Sequence, residues 1–185
     1  MSESREIQLI GDAHVRPLRD DEVDEAYGVY LEAVGWLRCA GIRQWMTAMP
    51  RARFDARQDH DENFGWFVSG ELAAIFSIVR EVTAHWQHVL AGDEPRPWLS
   101  TLVMAAPFRG SGLGAYVVTS ALKVLHAQGE PTAYLDCSDA GFLPDFYQRL
   151  GFRVLDRKSV TYASGDTYPM VLMSRNLDNL AHPAA

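Results

Sequence analysis

Between residues 23 and 37 the side chains Val23, Ala26, Tyr27, Tyr30, Val34 and Leu37 recur every three or four positions, which predicts a helix with one buried face. The acidic run Asp20, Asp21, Glu22 ahead of it suits the positive end of that helix, and Ala13 to Leu18 reads as a short first strand. Gly35 and Gly41 weaken or end the helix. The following stretch, GIRQWMTAMPRARFDARQDHDENF, predicts a second short helix passing into a polar loop, a candidate lid or acceptor-site wall. Phe64 to Val68 and Leu72 to Val79, rich in aromatic and β-branched residues around Ser69-Gly70-Glu71, form a hairpin pattern. Trp98 to Met104 predicts a strand, Gly112 to Gln128 a helix closed by Gly129, Ala133 to Cys137 a strand, and Phe142 to Leu150 a short helix closed by Gly151. Phe152 to Leu155 and Tyr168 to Met173 complete the series as strands paired through Ser164-Gly165-Asp166. The order β-α-α-β-β-β-α-β-α-β-β is that of a mixed α/β (α+β) chain. It predicts a mostly antiparallel sheet with a βαβ crossover in the second half. No repeat or linker divides the chain, so one domain over residues 13–177 is expected, with flexible termini at 1–12 and 178–185.

Composition narrows the partners. Of 185 residues 48% are hydrophobic and 22% charged, ordinary for a soluble domain, and 24 acidic against 17 basic residues leave a net charge of −7. That balance argues against a nucleic-acid partner, whose phosphates are met by clustered Lys and Arg. No apolar leader and no stretch long enough to span a bilayer is visible, so a cytoplasmic protein without a membrane partner is expected. Cys39 and Cys137 lie far apart, without disulfide or zinc-ligand spacing, and His60, His85 and His88 read as surface histidines, so no metal site is expected.

The candidate chemistry lies in FRGSGLGAYVV, residues 108–118. Gly110-Ser111-Gly112-Leu113-Gly114-Ala115 satisfies the dinucleotide pattern G-x-G-x-x-A, with Asp136 placed where a ribose-binding acid would stand. Ala105 to Arg109 intervene between strand and first glycine, however, which disfavours a nucleotide-cofactor oxidoreductase, and no Gly-Lys-Ser/Thr completes a P-loop. The second pattern is R-x-x-G-x-G, filled by Arg109, Gly112 and Gly114 ahead of a long helix. Glycine amides at a helix start let a pyrophosphate approach closely. This loop resembles the acetyl-CoA pyrophosphate loop of the GCN5-related N-acetyltransferases (GNAT). Phe146-Tyr147-Gln148-Arg149-Leu150-Gly151-Phe152 resembles that family's second signature, and the likeness spans roughly residues 98–156. Many family members carry an Asn after the crossover strand; this chain reads Asp136-Cys137-Ser138 there.

The resemblance implies an acetyl-CoA-dependent transfer of an acetyl group to a primary amine by direct attack in a ternary complex. It places the cofactor at Val103, Met104, Arg109, Gly110, Ser111, Gly112, Leu113, Gly114 and Ala115. The backbone of Val103 and Met104 would serve the pantetheine arm and the thioester carbonyl. Tyr147 matches the family tyrosine that protonates the departing thiolate. The base is open among Glu71, Glu81, Asp136 and water, while Cys137 has no paired histidine to make it a nucleophile. In the family the first helices wall the acceptor site, so Tyr30, Gln44 and Trp45 are substrate candidates, with packing of helix to sheet as the alternative for the tryptophan. The acceptor is open between a small-molecule amine and a peptide N-terminus, and exposed late strands suggest a homodimer. A non-catalytic acyl-CoA sensor or scaffold is the alternative from another class.

Overall fold

The computed structural model describes residues 12–81, 85–90, 95–162, 165–178 and 180. Seven strands make one sheet in the order β1-β2-β3-β4-β5-β7-β6. The first antiparallel set is β1 (Ala13–Pro17), β2 (Asn63–Val68), β3 (Glu71–Glu81) and β4 (Arg96–Met104). The second is β5 (Thr132–Ser138), β7 (Thr167–Asn176) and β6 (Arg153–Thr161). The sets meet as parallel neighbours β4 and β5, joined at a single register pair, Trp98 with Tyr134. Past that pair the two strands part.

The β2–β3 turn puts Ser69 at φ +50° and Gly70 at φ +84°, two consecutive left-handed residues whose twist suits a tight hairpin. Successive strand residues face opposite sides, and the core follows that alternation. Helices α1 (Val23–Cys39) and α2 (Arg51–Gln58) cover one face: Ala26, Tyr30, Val34 and Phe54 pack with Phe67, Leu72, Ile75 and Val103. Helix α3 (Gly114–Ala127) covers the other through Val117, Val118, Ala121, Leu122 and Leu125 against Phe64, Trp66, Phe76 and Leu135. Tyr147 of the short helix α4 (Leu143–Arg149) joins that second core with Phe152. A third cluster gathers the fully buried Trp86 with Trp98, Tyr168, Met170 and Leu172.

Element types follow the sequence pattern, and several bounds differ for identifiable reasons. Helix α1 runs through Gly35 to Cys39 because that glycine sits on the exposed face, and the chain turns at Gly41 with φ +73°. The expected second short helix is α2, which begins only at Arg51 after a non-helical stretch over residues 41–50, and its buried side chains are Phe54 and Arg57. Helix α3 starts at Gly114 rather than Gly112, whose φ of +83° is not helical. Strand β6 extends well past Leu155 to Thr161: it is an edge strand pairing with β7 alone, so its polar outer residues look loop-like in sequence.

One irregularity shapes the cleft. Ile75 pairs with Val103 but Ser77 with Ser100, so β4 carries an extra residue opposite β3, a bulge. Within it Thr101 has φ +54°, a conformation rare for a β-branched residue.

Candidate active site

Strand β4 leads into a single 3-10 turn, Ala106–Phe108, then the glycine loop and α3. Gly110 and Gly112 adopt φ +73° and +83°, the left-handed region that costs other L-residues roughly 1–2 kcal/mol. Ser111 Oγ donates to the Phe108 carbonyl at 2.6 Å and braces the loop from outside. At Gly114, helical in conformation, an added Cβ would meet only the Phe146 ring, at 3.6 Å. Neither packing nor backbone conformation therefore requires a glycine there. Bare backbone at a helix start, where the first amides have no intrahelical acceptor, is what close approach of a phosphate group needs, and the residues present fit a CoA pyrophosphate.

Arg109 is held by protein partners. Its Nε donates to the Met104 carbonyl at 3.0 Å, its two terminal nitrogens reach the two carboxylate oxygens of Glu32 at 3.0 and 3.2 Å, and its guanidinium lies 5.4 Å from the Trp36 ring centroid. It ties the end of β4 and the loop to α1. Val103, buried in the α1 core, and Met104 continue the β3 pairing at this same end of β4.

Where β4 and β5 part, a cavity of about 480 Å³ opens, bordered by Leu99 to Leu102 of β4 and Asp136 of β5. Tyr147 reaches it from α4, Tyr30 from α1, and Gln44 and Trp45 from the segment between α1 and α2. The sequence candidates for acid and acceptor contacts thus share one cavity, while residues 109–115 form a separate stretch outside its lining. Tyr30 is buried and its hydroxyl oxygen accepts the Met49 amide at 2.8 Å; Trp45 packs edge-on to it at 5.5 Å. Gln44 Oε1 accepts the Ser138 amide at 3.1 Å, and Thr47 Oγ1 donates to Asp166 Oδ2 at 2.9 Å. The 41–50 segment is thereby stitched across to the second strand set.

Tyr147 is 8% exposed, with its ring edge-on to Phe146 at 5.1 Å and Phe152 at 5.7 Å. Burial pushes its phenol well above the usual value of 10.0, and the ionisable side chains of Cys137 and Asp136 nearby add to the rise. Cys137, also buried, has its thiol pushed up to about 12, chiefly by burial, which makes it a packing residue rather than a nucleophile. Asp136 Oδ2 accepts from Trp86 Nε1 at 2.9 Å. Of the carboxylates first considered as base, Asp136 lines the cavity, whereas Glu71 is exposed at the hairpin and Glu81 ends β3 opposite Arg96.

Some cavity residues were missed in the sequence. Buried Arg57 donates from Nη1 to Thr101 Oγ1 at 2.8 Å, pinning the bulge, and Arg53 and Arg57 both line the cavity. Their spacing of four was visible within RARFDARQ, but nothing local tied them to a site. His85, expected at the surface, is half-buried and lines the cavity too, while His88 is exposed, its Nε2 2.8 Å from Asp156 Oδ2. Among the described residues no group of His, Cys, Asp and Glu is arranged to hold a metal ion.

A sheet that opens at one parallel pair, a glycine loop at a helix start beside the opening, and a buried tyrosine within it are the architecture of an acyl-CoA-dependent acetyltransferase. A model of the acetyltransferase (GNAT) family matches residues 20–152, and the chain belongs to that family. It is similar to an uncharacterized N-acetyltransferase, YesJ, of Bacillus subtilis (strain 168), 27% identical over 149 residues that cover 77% of this chain and 82% of the relative. A GNAT-family acetyltransferase of Listeria monocytogenes superposes with a TM-score of 0.72 at 18% identity, over 89% of this chain and 94% of its own. The protein yncA of Salmonella typhimurium, solved with its cofactor acetyl-CoA, superposes with a TM-score of 0.63 at 16% identity, over 94% of this chain and 98% of its own. The chain is accordingly an acetyl-CoA-dependent N-acetyltransferase, and the dinucleotide reading of its glycines is set aside.

Proposed function

We propose that this chain acetylates a primary amine by direct attack within a ternary complex, in the cavity between β4 and β5. Asp136 receives the amine proton and Tyr147 serves the leaving sulfur. The observation that carries this reading is that Asp136 and Tyr147, from different elements, line one cavity at the point where the strands separate. The amine nitrogen bonds to the thioester carbonyl carbon, the C–S electron pair goes to sulfur, and the amine proton passes to the Asp136 carboxylate that Trp86 orients. Burial keeps the Tyr147 phenol protonated throughout the neutral range. A thiol with pKa near 8.5 is the stronger acid, so the phenol stabilises the departing sulfur by a hydrogen bond, and solvent completes its protonation. The amides of Gly110 to Ala115 hold the pyrophosphate, with Arg109 positioning the loop and the backbone of Val103 and Met104 serving the pantetheine arm. Tyr30, Gln44 and Trp45 wall the acceptor side. The acceptor is a small-molecule amine or a peptide N-terminus, the compartment is the cytoplasm, and the open edge at β6 supports a homodimer.

The test is thiol release from acetyl-CoA, driven by a panel of amines, for the parent chain, Tyr147→Phe and Asp136→Asn. Each variant is expected to lose about 100-fold in kcat with acetyl-CoA affinity retained. Unchanged kcat for Tyr147→Phe removes the tyrosine from the reaction, and unchanged kcat for Asp136→Asn removes the aspartate.

A further inference from the structure

Six of the side chains lining the cavity between β4 and β5 are aromatic: Tyr30, Trp45, His85, Tyr147, Tyr162 and Tyr168. No two come from the same element, so it is the fold that gathers them. Trp45, His85 and Tyr162 are half-buried, which leaves part of each ring uncovered, and each is backed by a second ring. Trp45 stands edge-on to Tyr30 at 5.5 Å, His85 is tilted against Tyr162 at 5.5 Å, and Tyr162 against Tyr168 at 5.2 Å. Burial pushes the phenols of Tyr30, Tyr147 and Tyr162 above their usual value, so these rings are uncharged at neutral pH. Trp45 is also held at φ +54°, a left-handed conformation that glycine takes freely and a bulky residue takes only against strain. The chain on either side of it is tied down, Gln44 Oε1 accepting from the Ser138 amide and the Met46 carbonyl from Arg38 Nη2 at 2.6 Å. Strain of this kind persists where the surroundings fix it, and it gathers at ligand sites.

Polar groups of the lining are already engaged within the protein. Arg57 donates to Thr101 Oγ1, Asp136 accepts from Trp86 Nε1, Gln44 accepts from the Ser138 amide, and Arg53 is not free either. The surface that most of the walls share is ring surface. A small alkylamine would leave these rings against water in a space of about 480 Å³, whereas a ligand that brings its own ring buries apolar area on both sides. Cation–π attraction to the ammonium itself is the other use of such rings. It favours the protonated amine, whose lone pair is occupied, and so opposes attack on the thioester. Rings that grip the group carrying the amine add affinity at no such cost to the nitrogen. We propose that the acceptor is an amine carried on an aromatic group, and that Trp45 and Tyr162 select it by packing on its ring. This rests on the acetyl-transfer reading above and names the class of substrate for the same cavity.

The experiment is thiol release from acetyl-CoA by the full chain, driven by phenethylamine, its saturated counterpart cyclohexylethylamine, and ethylamine. Spermidine and a dialanine peptide complete the panel. Phenethylamine is expected to exceed ethylamine by about 100-fold in kcat/KM, mainly through KM, and the saturated amine by about 3-fold or more. Trp45→Gly, which also relieves the backbone, and Tyr162→Leu are each expected to cut the phenethylamine-to-ethylamine ratio about 10-fold, and Trp45→Phe to keep most of it. A merely structural role would slow both amines alike and leave the ratio unchanged. Should Trp45→Gly fail to fold, Tyr162→Leu decides. Two results overturn the acceptor class alone: ethylamine, the saturated amine, spermidine or the peptide used as well as phenethylamine, or a ratio that the folded variants leave intact. Thiol release that no amine accelerates overturns the transfer reading, and this inference with it.

Discussion

Replacing Thr101 tests whether the bulge in β4 is held by Arg57. In an ordinary strand Val is preferred to Gly, because a β-branched side chain packs on the pleated surface and glycine loses more entropy. At Thr101 two features reverse that order. The residue sits at φ +54°, where a non-glycine residue costs roughly 1–2 kcal/mol that glycine does not. Its hydroxyl, in a side chain 4% exposed, accepts the hydrogen bond of a buried guanidinium at 2.8 Å. Thr101→Val keeps the strained backbone and the shape but removes this acceptor, and losing a buried hydrogen bond to a charged group costs about 1.5–3 kcal/mol. Thr101→Gly loses the same bond but relieves the strain, so its net cost is about 1 kcal/mol. For a domain of this size, the valine variant should melt about 4–8 °C below the parent and the glycine variant only about 2–4 °C below. Thermal or urea unfolding of the two variants reads the order directly. If valine is as stable as glycine, the left-handed bulge is not under strain. If Arg57→Met and Thr101→Val add independently, Arg57 does not hold it.

Three further outcomes are expected. Gly112→Asp places a side chain at φ +83° and a negative charge in the phosphate loop, so calorimetric titration should show acetyl-CoA affinity falling at least ~100-fold, with the melting temperature lowered by about 2–8 °C from the backbone strain alone. Glu22, gripped by Arg16 at 2.6 and 2.7 Å and by the Arg19 amide at 2.8 Å, has its carboxyl held down at about 2 from 4.5, with the Arg16 hydrogen bonds the largest cause. A lowered folded-state pKa gives stability that is full above about 4.5 and lost as pH falls toward 2, so Glu22→Gln should flatten the loss of urea stability across that window. Cys39 is exposed and Cys137 buried with its thiol pushed up to about 12, so a thiol reagent at pH 8 should titrate one cysteine natively and two in denaturant; two at once would contradict the packing of β5.

The readable parts of this protein were those whose causes are local. Helix α1 announces itself by apolar spacing and α3 by glycines before and after it, and Tyr147 sits within a run of aromatic and glycine residues that frames a short helix. What stayed hidden depends on partners distant in sequence. Thr101 lies in an ordinary-looking strand pattern, LSTLVM, and its left-handed backbone is tied to an arginine 44 residues earlier. Helix α2 has eight residues and one buried hydrophobe, Phe54, so the second short helix was legible but its bounds within residues 41–64 were not. His85 looked like a surface residue because nothing near it in sequence shows that the fold brings it to the cavity lining.

The single rung between Trp98 and Tyr134 leaves this sheet with an edge in its interior. Beyond that rung β4 and β5 present backbone donors and acceptors that are not matched to each other, the arrangement that elsewhere invites an added strand. An extended ligand rich in amides can lie there as a splint between two plates. A ligand that binds only the folded chain stabilises it by RT ln(1 + [L]/Kd), about 2.7 kcal/mol at a hundredfold excess over Kd. With the co-substrate bound along this seam as proposed above, the supply of acetyl-CoA would govern how long the folded chain persists as well as how fast it turns over.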